Sequence, residues 1–234
     1  MNWNLHKNTL FSWVVFVLMS GCETTPTTTV SRGKYRIRVP RSVVENAKTV
    51  LAGEPIEWEG NILPDGCFGD RDIIRISDIS GKTVVFWKNR SNYKRVNDGH
   101  SLKEISTIMQ FYCINSRSNT RRRLENYCTH VMDLHSGIEQ LSLFPTTIDQ
   151  DSLLAYSKGD PKLAMKLSRL ATQSSIKLEK SRFSASFHAL QKNGAVDRWV
   201  ISGSLKKNVI WLKSIAITQI APPGTFFFAV IGKR

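Results

Sequence analysis

The chain has 234 residues, 41% of them hydrophobic and 22% charged, which is ordinary for a folded protein and enough for one large or two small cores. That composition excludes a wholly disordered or collagen-like chain. Charge is the outlier: 33 Lys and Arg against 19 Asp and Glu give +14, which directs attention to anionic partners such as lipid headgroups, polysaccharide or nucleic acid.

A polar start with His6 and Lys7 leads into an apolar run over residues 10–19 and closes on Ser20-Gly21-Cys22. The run is shorter than the roughly 20 apolar residues a bilayer requires, so residues 1–21 read as a signal peptide. Small residues ahead of a Cys resemble the bacterial lipobox, in which Cys22 is lipidated, palmitate included, and becomes the mature N-terminus. Glu23 in place of Asp then implies release to the outer membrane, facing either the surface or the periplasm. Residues 22–33, rich in Thr and lacking apolar periodicity, form a tether.

Folding begins near Lys34. Residues 34–39 alternate Tyr35, Ile37 and Val39 with basic neighbours, a half-buried strand. Ser42 and Glu45 have capping-box spacing, and Val43, Val44, Ala47, Val50 and Leu51 make a helical stripe ended by Gly53 and Pro55. A short strand over 56–59 and a turn-rich stretch over 63–70 follow. Residues 71–78 and 82–88 are β-branched and aromatic runs separated by Ile79-Ser80-Gly81, a hairpin. Residues 103–114 alternate Ile105, Thr107, Met109, Phe111 and Cys113 against polar neighbours, Ile108 and Tyr112 excepted. With 124–133 they predict a second hairpin, crowned by Arg121, Arg122 and Arg123.

Beyond Pro145 the pattern becomes helical. A short helix over 149–157 ends at Gly159, and Asp160-Pro161 opens another, with Asp as N-cap and Pro at the first position. Leu163, Leu167, Leu170, Ala171, Ser174 and Leu178 share its face. Phe183, Ala185, Phe187 and Ala189 then alternate with Arg182, Ser184, Ser186 and His188, and Asn193-Gly194 is the strongest hairpin signal in the chain. Strands over 196–202, 209–220 and 225–231 complete a four-stranded meander, with Lys206-Lys207-Asn208 and Pro222-Pro223-Gly224 at the turns. The fold class is therefore α+β: an antiparallel sheet with one packed helix over 34–148, then a helical hairpin and a second antiparallel meander over 149–234. The charge is concentrated late, with 14 Lys and Arg against 5 Asp and Glu over 149–234 and 17 against 13 over 34–148.

Once Cys22 carries lipid, Cys67, Cys113 and Cys128 remain in an oxidising compartment. The midpoint between Cys113 and Cys128 falls between Thr120 and Arg121, so a symmetric hairpin sets the two opposite each other, close enough to bridge at a non-hydrogen-bonded pair. The entropic worth of that loop of roughly 15 residues is about 3 kcal/mol. Cys67 with Cys113 is the competing pair.

Several stretches resemble the surface-adhesin protein E-like lipoproteins of Gram-negative bacteria. These are the lipobox, the Asp-led strand Asp70-Arg71-Asp72-Ile73-Ile74-Arg75-Ile76, the Gly turn, and Val84-Val85-Phe86-Trp87. Ser101-Leu102-Lys103, Met109-Gln110-Phe111-Tyr112-Cys113 and the Arg-rich hairpin before Leu124 continue the likeness. It spans roughly residues 56–145, and it implies a small antiparallel sheet with a packed helix that binds macromolecules.

Catalytic signatures are few. Neither a G-x-S-x-G elbow, a phosphate loop, H-E-x-x-H nor zinc-spaced Cys pairs occur. His130, Asp133 and His135 are close in sequence but converge on neither a strand nor a helix, so no metal and no cofactor are expected. Glu57 and Glu59, with Glu54 nearby, share a strand face as the two carboxylates of a glycoside hydrolase would, which leaves an envelope hydrolase of a cell-wall or surface glycan as the alternative. The favoured reading is a non-catalytic envelope lipoprotein, adhesin-like or accessory to an envelope assembly. Its anionic partner, a glycan or lipopolysaccharide, would meet Arg121, Arg122, Arg123, Lys206 and Lys207, with Lys177, Lys180 and Arg182 near the strand ends. An envelope protein is a further partner, and the compartment argues against nucleic acid.

Overall fold

The computed structural model describes residues 40–51, 57–59, 73–78, 80–89, 92–96, 102–110, 120–146, 148–206 and 209–228. The expected signal peptide, Cys22, the tether, the strand over 34–39, Glu54, Cys67, Cys113 and Lys207 lie outside the described residues.

Two antiparallel sheets and three groups of helices alternate in layers. In the first sheet β1 (Glu57–Glu59), β2 (Ile73–Ser77), β3 (Thr83–Asn89) and β4 (Asn92–Arg95) lie in chain order. The expected hairpin over 71–88 is present, with Ile74 opposite Phe86 and Ile76 opposite Val84. Both faces of this sheet are covered. Ile74, Ile76, Val84 and Phe86 pack on α1 (Arg41–Leu51) through Val43, Ala47 and Leu51, whereas Ile73, Val85 and Trp87 face the opposite way, into the main core. α1 starts one residue before the expected cap, with the Val43 and Val44 amides donating to the Pro40 carbonyl, so Ser42 and Glu45 sit inside the helix.

Two expected strands are helices, α2 (Leu102–Met109) and α3 (Thr120–His135). Ile105, Ile108 and Met109 form the buried stripe of α2, so Ile108, the exception to alternation, is the residue that sets the helical period. In α3 the buried residues Leu124, Tyr127, Cys128, Val131 and Leu134 recur at three- and four-residue steps. Both helices pack between the two sheets.

The expected hairpin that would set Cys113 opposite Cys128 is not formed among the described residues: Cys128 lies in the middle of α3 as a fully buried free thiol. Burial, and next the Glu125 carboxylate one turn away, push that thiol well above its ordinary pKa.

The second sheet has the order β5 (Gln140–Ser142), β7 (Arg182–Gln191), β8 (Val196–Lys206), β9 (Val209–Ala221), with β6 (Ser175–Glu179) also paired to β7. β5 and β6 thus divide one edge of the long β7: Gln140 to Ser142 pair with Gln191 to Ala189, and Ser175 to Glu179 with Ser186 to Arg182. β5 precedes the expected boundary at residue 149, yet it pairs with a strand beyond it. The expected fourth meander strand is absent among the described residues, since Pro222 to Phe228 run as turns and bury Phe226.

Asp160 is the N-cap expected of it, and Asp149 caps the helix before it in the same way. Asp149 accepts from the Ser152 amide at 2.7 Å ahead of α4 (Gln150–Tyr156), and Asp160 from the Lys162 amide at 2.8 Å ahead of α5 (Pro161–Thr172). Ser174 and Leu178 leave the helical stripe, because the chain turns into β6 after Thr172.

On the inner face of the second sheet Phe187 stacks between Phe144 at 4.6 Å and Trp199 at 6.3 Å, and Tyr127 meets Phe183 edge to face at 5.9 Å. The outer face is covered at one end only, where Leu190, Val196 and Ala221 pack with Leu167, Leu170 and Phe226.

Candidate functional site

The uncovered end of that outer face is where exposed chemistry collects. Directly opposed residues of antiparallel strands share a face, so the registers define rows across the sheet. One row runs Lys177, Ser184, Ser202, Ser214 from β6 to β9. Its neighbours are Glu179, Arg182, Ser204, Trp211 on one side and Ser175, Ser186, Val200, Ala216 on the other. Beyond lie Arg198 opposite Thr218 and Lys206 opposite Val209. At about 4.8 Å per strand, each four-strand row is about 14 Å long.

This surface is made of short hydroxyls and long cations. Lys177, Arg182, Arg198 and Lys206 are exposed on it, and Glu179 is its one carboxylate. The hydroxyls are tied across strands, Ser202 to Ser214 at 2.7 Å, while the Arg198 Nε donates to Ser186 Oγ at 3.2 Å. Those bonds tie neighbouring strands together and fix the Arg198 guanidinium beside Ser186. Arg182, Lys177 and Lys206 make no ion pair with any described carboxylate, so their charge is directed to solvent.

Trp211 is the exposed aromatic of this face, 43% accessible and opposite Ser204. With Ser204, Lys206 and Val209 it lines a cavity of about 580 Å³ at the β8–β9 hairpin end. Its place follows from register: Trp211 pairs with the outward Ser204, and β9 sits tight on β8 because Gly203 has no Cβ to collide with the Phe183 ring and the Trp211 carbonyl.

The residues singled out in the sequence are dispersed. Arg121, Arg122 and Arg123 occupy the first turn of α3, with Arg121 Nε 3.4 Å from Glu125, and α3 lies on the opposite side of the second sheet from Lys206. They do not crown a turn, and they share no surface with the hydroxyl rows. Lys206 ends β8 on the outer face. Asp133 accepts from Arg75 at 3.1 Å, and His135 stands edge-on to Trp199 at 5.6 Å. Among the described residues no group of three or more His, Cys, Asp or Glu could hold a metal. Glu57 and Glu59 lie on β1, opposite Ser77 and Arg75.

Sequence reasoning missed Arg198, Trp211 and the serine rows. The available signal was the outward set of an amphipathic strand: Ser184 and Ser186 alternate with Phe183, Ala185 and Phe187, and Ser202 and Ser204 with Ile201. Registration across strands, which turns these separate sets into one surface, is not written in any single segment. Among the described residues no helix is long and apolar enough to cross a membrane. Compared with protein-family models, curated proteins and solved structures, the chain matches none.

Proposed function

We propose that the protein is a lipid-anchored component of the bacterial outer membrane that acts by binding, and that its partner is an anionic polymer, lipopolysaccharide or an acidic glycan, laid across the outer face of the second sheet. The observation that carries this reading is the open face itself, where serine hydroxyls in register stand among four exposed cations and one carboxylate. Hydroxyls offer donors and acceptors to sugar hydroxyls, and cations without protein partners offer charge to carboxylate, sulfate or phosphate. The apolar run before Ser20-Gly21-Cys22 supports the envelope, which favours such polymers over nucleic acid.

Exposed charge contacts are screened over about 8 Å at physiological ionic strength. The mature protein is therefore expected to be retained on immobilised lipopolysaccharide and heparin at low salt and released as salt rises. The Lys177→Gln/Arg182→Gln double variant, which sets no like charges opposite Glu179, should elute at clearly lower salt with a melting temperature within about 2 °C of the parent's. Absence of salt-dependent retention for the unaltered protein overturns the reading. The anchor is tested separately: Cys22→Ser should abolish labelling by a palmitate analogue, and an unlabelled unaltered protein refutes it.

A further inference from the structure

We propose that the cavity at the β8–β9 hairpin end is a subsite for one acidic pyranose ring, stacked on the Trp211 indole with its carboxylate or sulfate held by the Lys206 ammonium. This rests on the reading of the sheet face as a polyanion site and names the unit recognised there. The cavity's roughly 580 Å³ falls within the about 300–1,000 Å³ of small-ligand sites, which combine mostly apolar walls with a few polar groups. Among the described residues its lining fits that description, since Val209, Trp211 and the Lys206 stem supply hydrocarbon, while Ser204 supplies a hydroxyl and Lys206 a charge.

Each simpler ligand leaves part of this lining unused. A bare phosphate or polyphosphate would satisfy Lys206 and waste the indole face. An acyl chain would use Val209 and Trp211 and leave the Ser204 hydroxyl and the solvent-facing Lys206 ammonium without a role. A neutral sugar would stack and leave the charge unanswered. An acidic pyranose presents an apolar C–H face, a hydroxyl rim and one negative charge, matching Trp211, Ser204 and Lys206 in turn. The register supports continuity: Trp211 and Ser204 belong to the row that carries Arg182, and the next row carries Ser214, Ser202 and Lys177. A polymer seated at Trp211 therefore extends onto the rest of the face.

The test is calorimetric titration of the mature protein with three probes: an oligogalacturonate, a dextran oligosaccharide of equal length, and inorganic polyphosphate. The unaltered protein should bind the first and third and bind dextran at least tenfold more weakly than oligogalacturonate. Trp211→Ala should weaken oligogalacturonate at least tenfold and polyphosphate less than twofold, while Trp211→Phe retains most of the affinity. The exposed indole makes a folded variant expected, and the phenylalanine variant gives the answer where the alanine variant melts early. Equal losses for both polyanions, or none, overturn the subsite and leave the sheet-face reading standing, whereas dextran binding equal to oligogalacturonate overturns both, since charge then contributes nothing. Tighter binding of dodecanoate than of the sugar assigns the cavity to an acyl chain and also overturns it. Failure of every polyanion to bind the unaltered protein removes both readings.

Discussion

Replacing Gly194 with Ala should cost more than any ordinary turn substitution, because two independent features of the fold converge on that α-carbon. Its φ of +83° belongs to the left-handed region, where an L side chain costs about 1–2 kcal/mol. Asn193 does not share that sign, so the turn is a three-residue loop whose Gly forms the bulge: the Gln191 amide donates to Ala195 at 2.8 Å and the Gly194 amide to Gln191 at 2.9 Å. A Cβ at Gly194 would also fall inside van der Waals contact of the Phe226 carbonyl and 3.2 Å from the Gly224 nitrogen. The segment after Pro222 would have to leave. That would break the bonds from Phe226 N to Gly194 O at 3.0 Å and Gly224 N to Asn193 O at 2.8 Å, each worth about 1 kcal/mol. It would also expose Phe226, worth about 2 kcal/mol. Together with the backbone strain the loss is about 5 kcal/mol. At about 2–4 °C per kcal/mol for a chain of this size, the melting temperature should drop by roughly 10–20 °C. Thermal melts supply that number, and limited proteolysis should show new cleavage after Pro222. A variant melting within 2 °C of the parent, with that segment still protected, refutes the account.

Phe187→Ala removes the middle ring of the Phe144–Phe187–Trp199 stack and should cost about 3–5 kcal/mol by denaturant titration; a loss under 1 kcal/mol would show that the stack is not central to the core. Cys128 should stay unmodified by iodoacetamide in the native protein and react only as the chain unfolds, and peptide mapping without reductant should recover it unpaired. His188 is buried beneath α5, its Nδ1 2.9 Å from the Leu170 carbonyl; burial, with a smaller contribution from Arg198, lowers its pKa. The folded state then binds fewer protons than the unfolded one, so this contribution is full above the ordinary value of about 6.5 and is lost as pH falls through the depressed value. Melting temperature should therefore fall from pH 7 to pH 5, and His188→Gln should flatten the profile; an unchanged slope contradicts this. Asp197 runs the other way: burial raises its pKa against the lowering bond from Gln191, so its contribution weakens as pH rises, and Asp197→Asn should stabilise the protein at neutral pH in the same melts.

Elements carrying a local stop or start signal were legible in the sequence. The β2–β3 hairpin at Ser80-Gly81, the Asp160-Pro161 helix start and the Asn193-Gly194 turn each rest on a residue whose backbone preference decides the outcome, while α1 was legible from its apolar stripe and not from its cap. α2 and α3 were not legible, because a short amphipathic helix contains near-alternating pairs. Ile105, Thr107 and Met109 mimic a strand unless Ile108 is weighed, and Tyr127 beside Cys128 breaks the alternation of a half-buried strand. The Arg triplet added to the confusion: three cations at a helix N-terminus oppose the helix dipole, and Arg121 is offset there by Glu125 one turn on. β5 is three residues long and exists only because β7 offers it an edge. Of the candidate site, Lys206 and Arg182 were visible as charges, but Trp211 and Arg198 gain their meaning from neighbours on other strands.

Residues 137–139 join the two hairpin turns, and the order of events in folding follows from that join. Thr83 donates to the Gly137 carbonyl at 2.9 Å, the Glu139 amide to Gly81 at 2.6 Å and the Lys192 amide to Glu139 at 2.9 Å, while Lys192 Nζ stands 3.1 Å from the Glu139 carboxylate. The β2–β3 hairpin and the β7–β8–β9 meander close short loops and can form on their own. The join connects segments far apart in sequence, and such contacts bear the full entropy of a long loop. It therefore closes last and opens first. In hydrogen exchange the Thr83, Glu139 and Lys192 amides should open as a group while the centres of β7 and β8 remain protected.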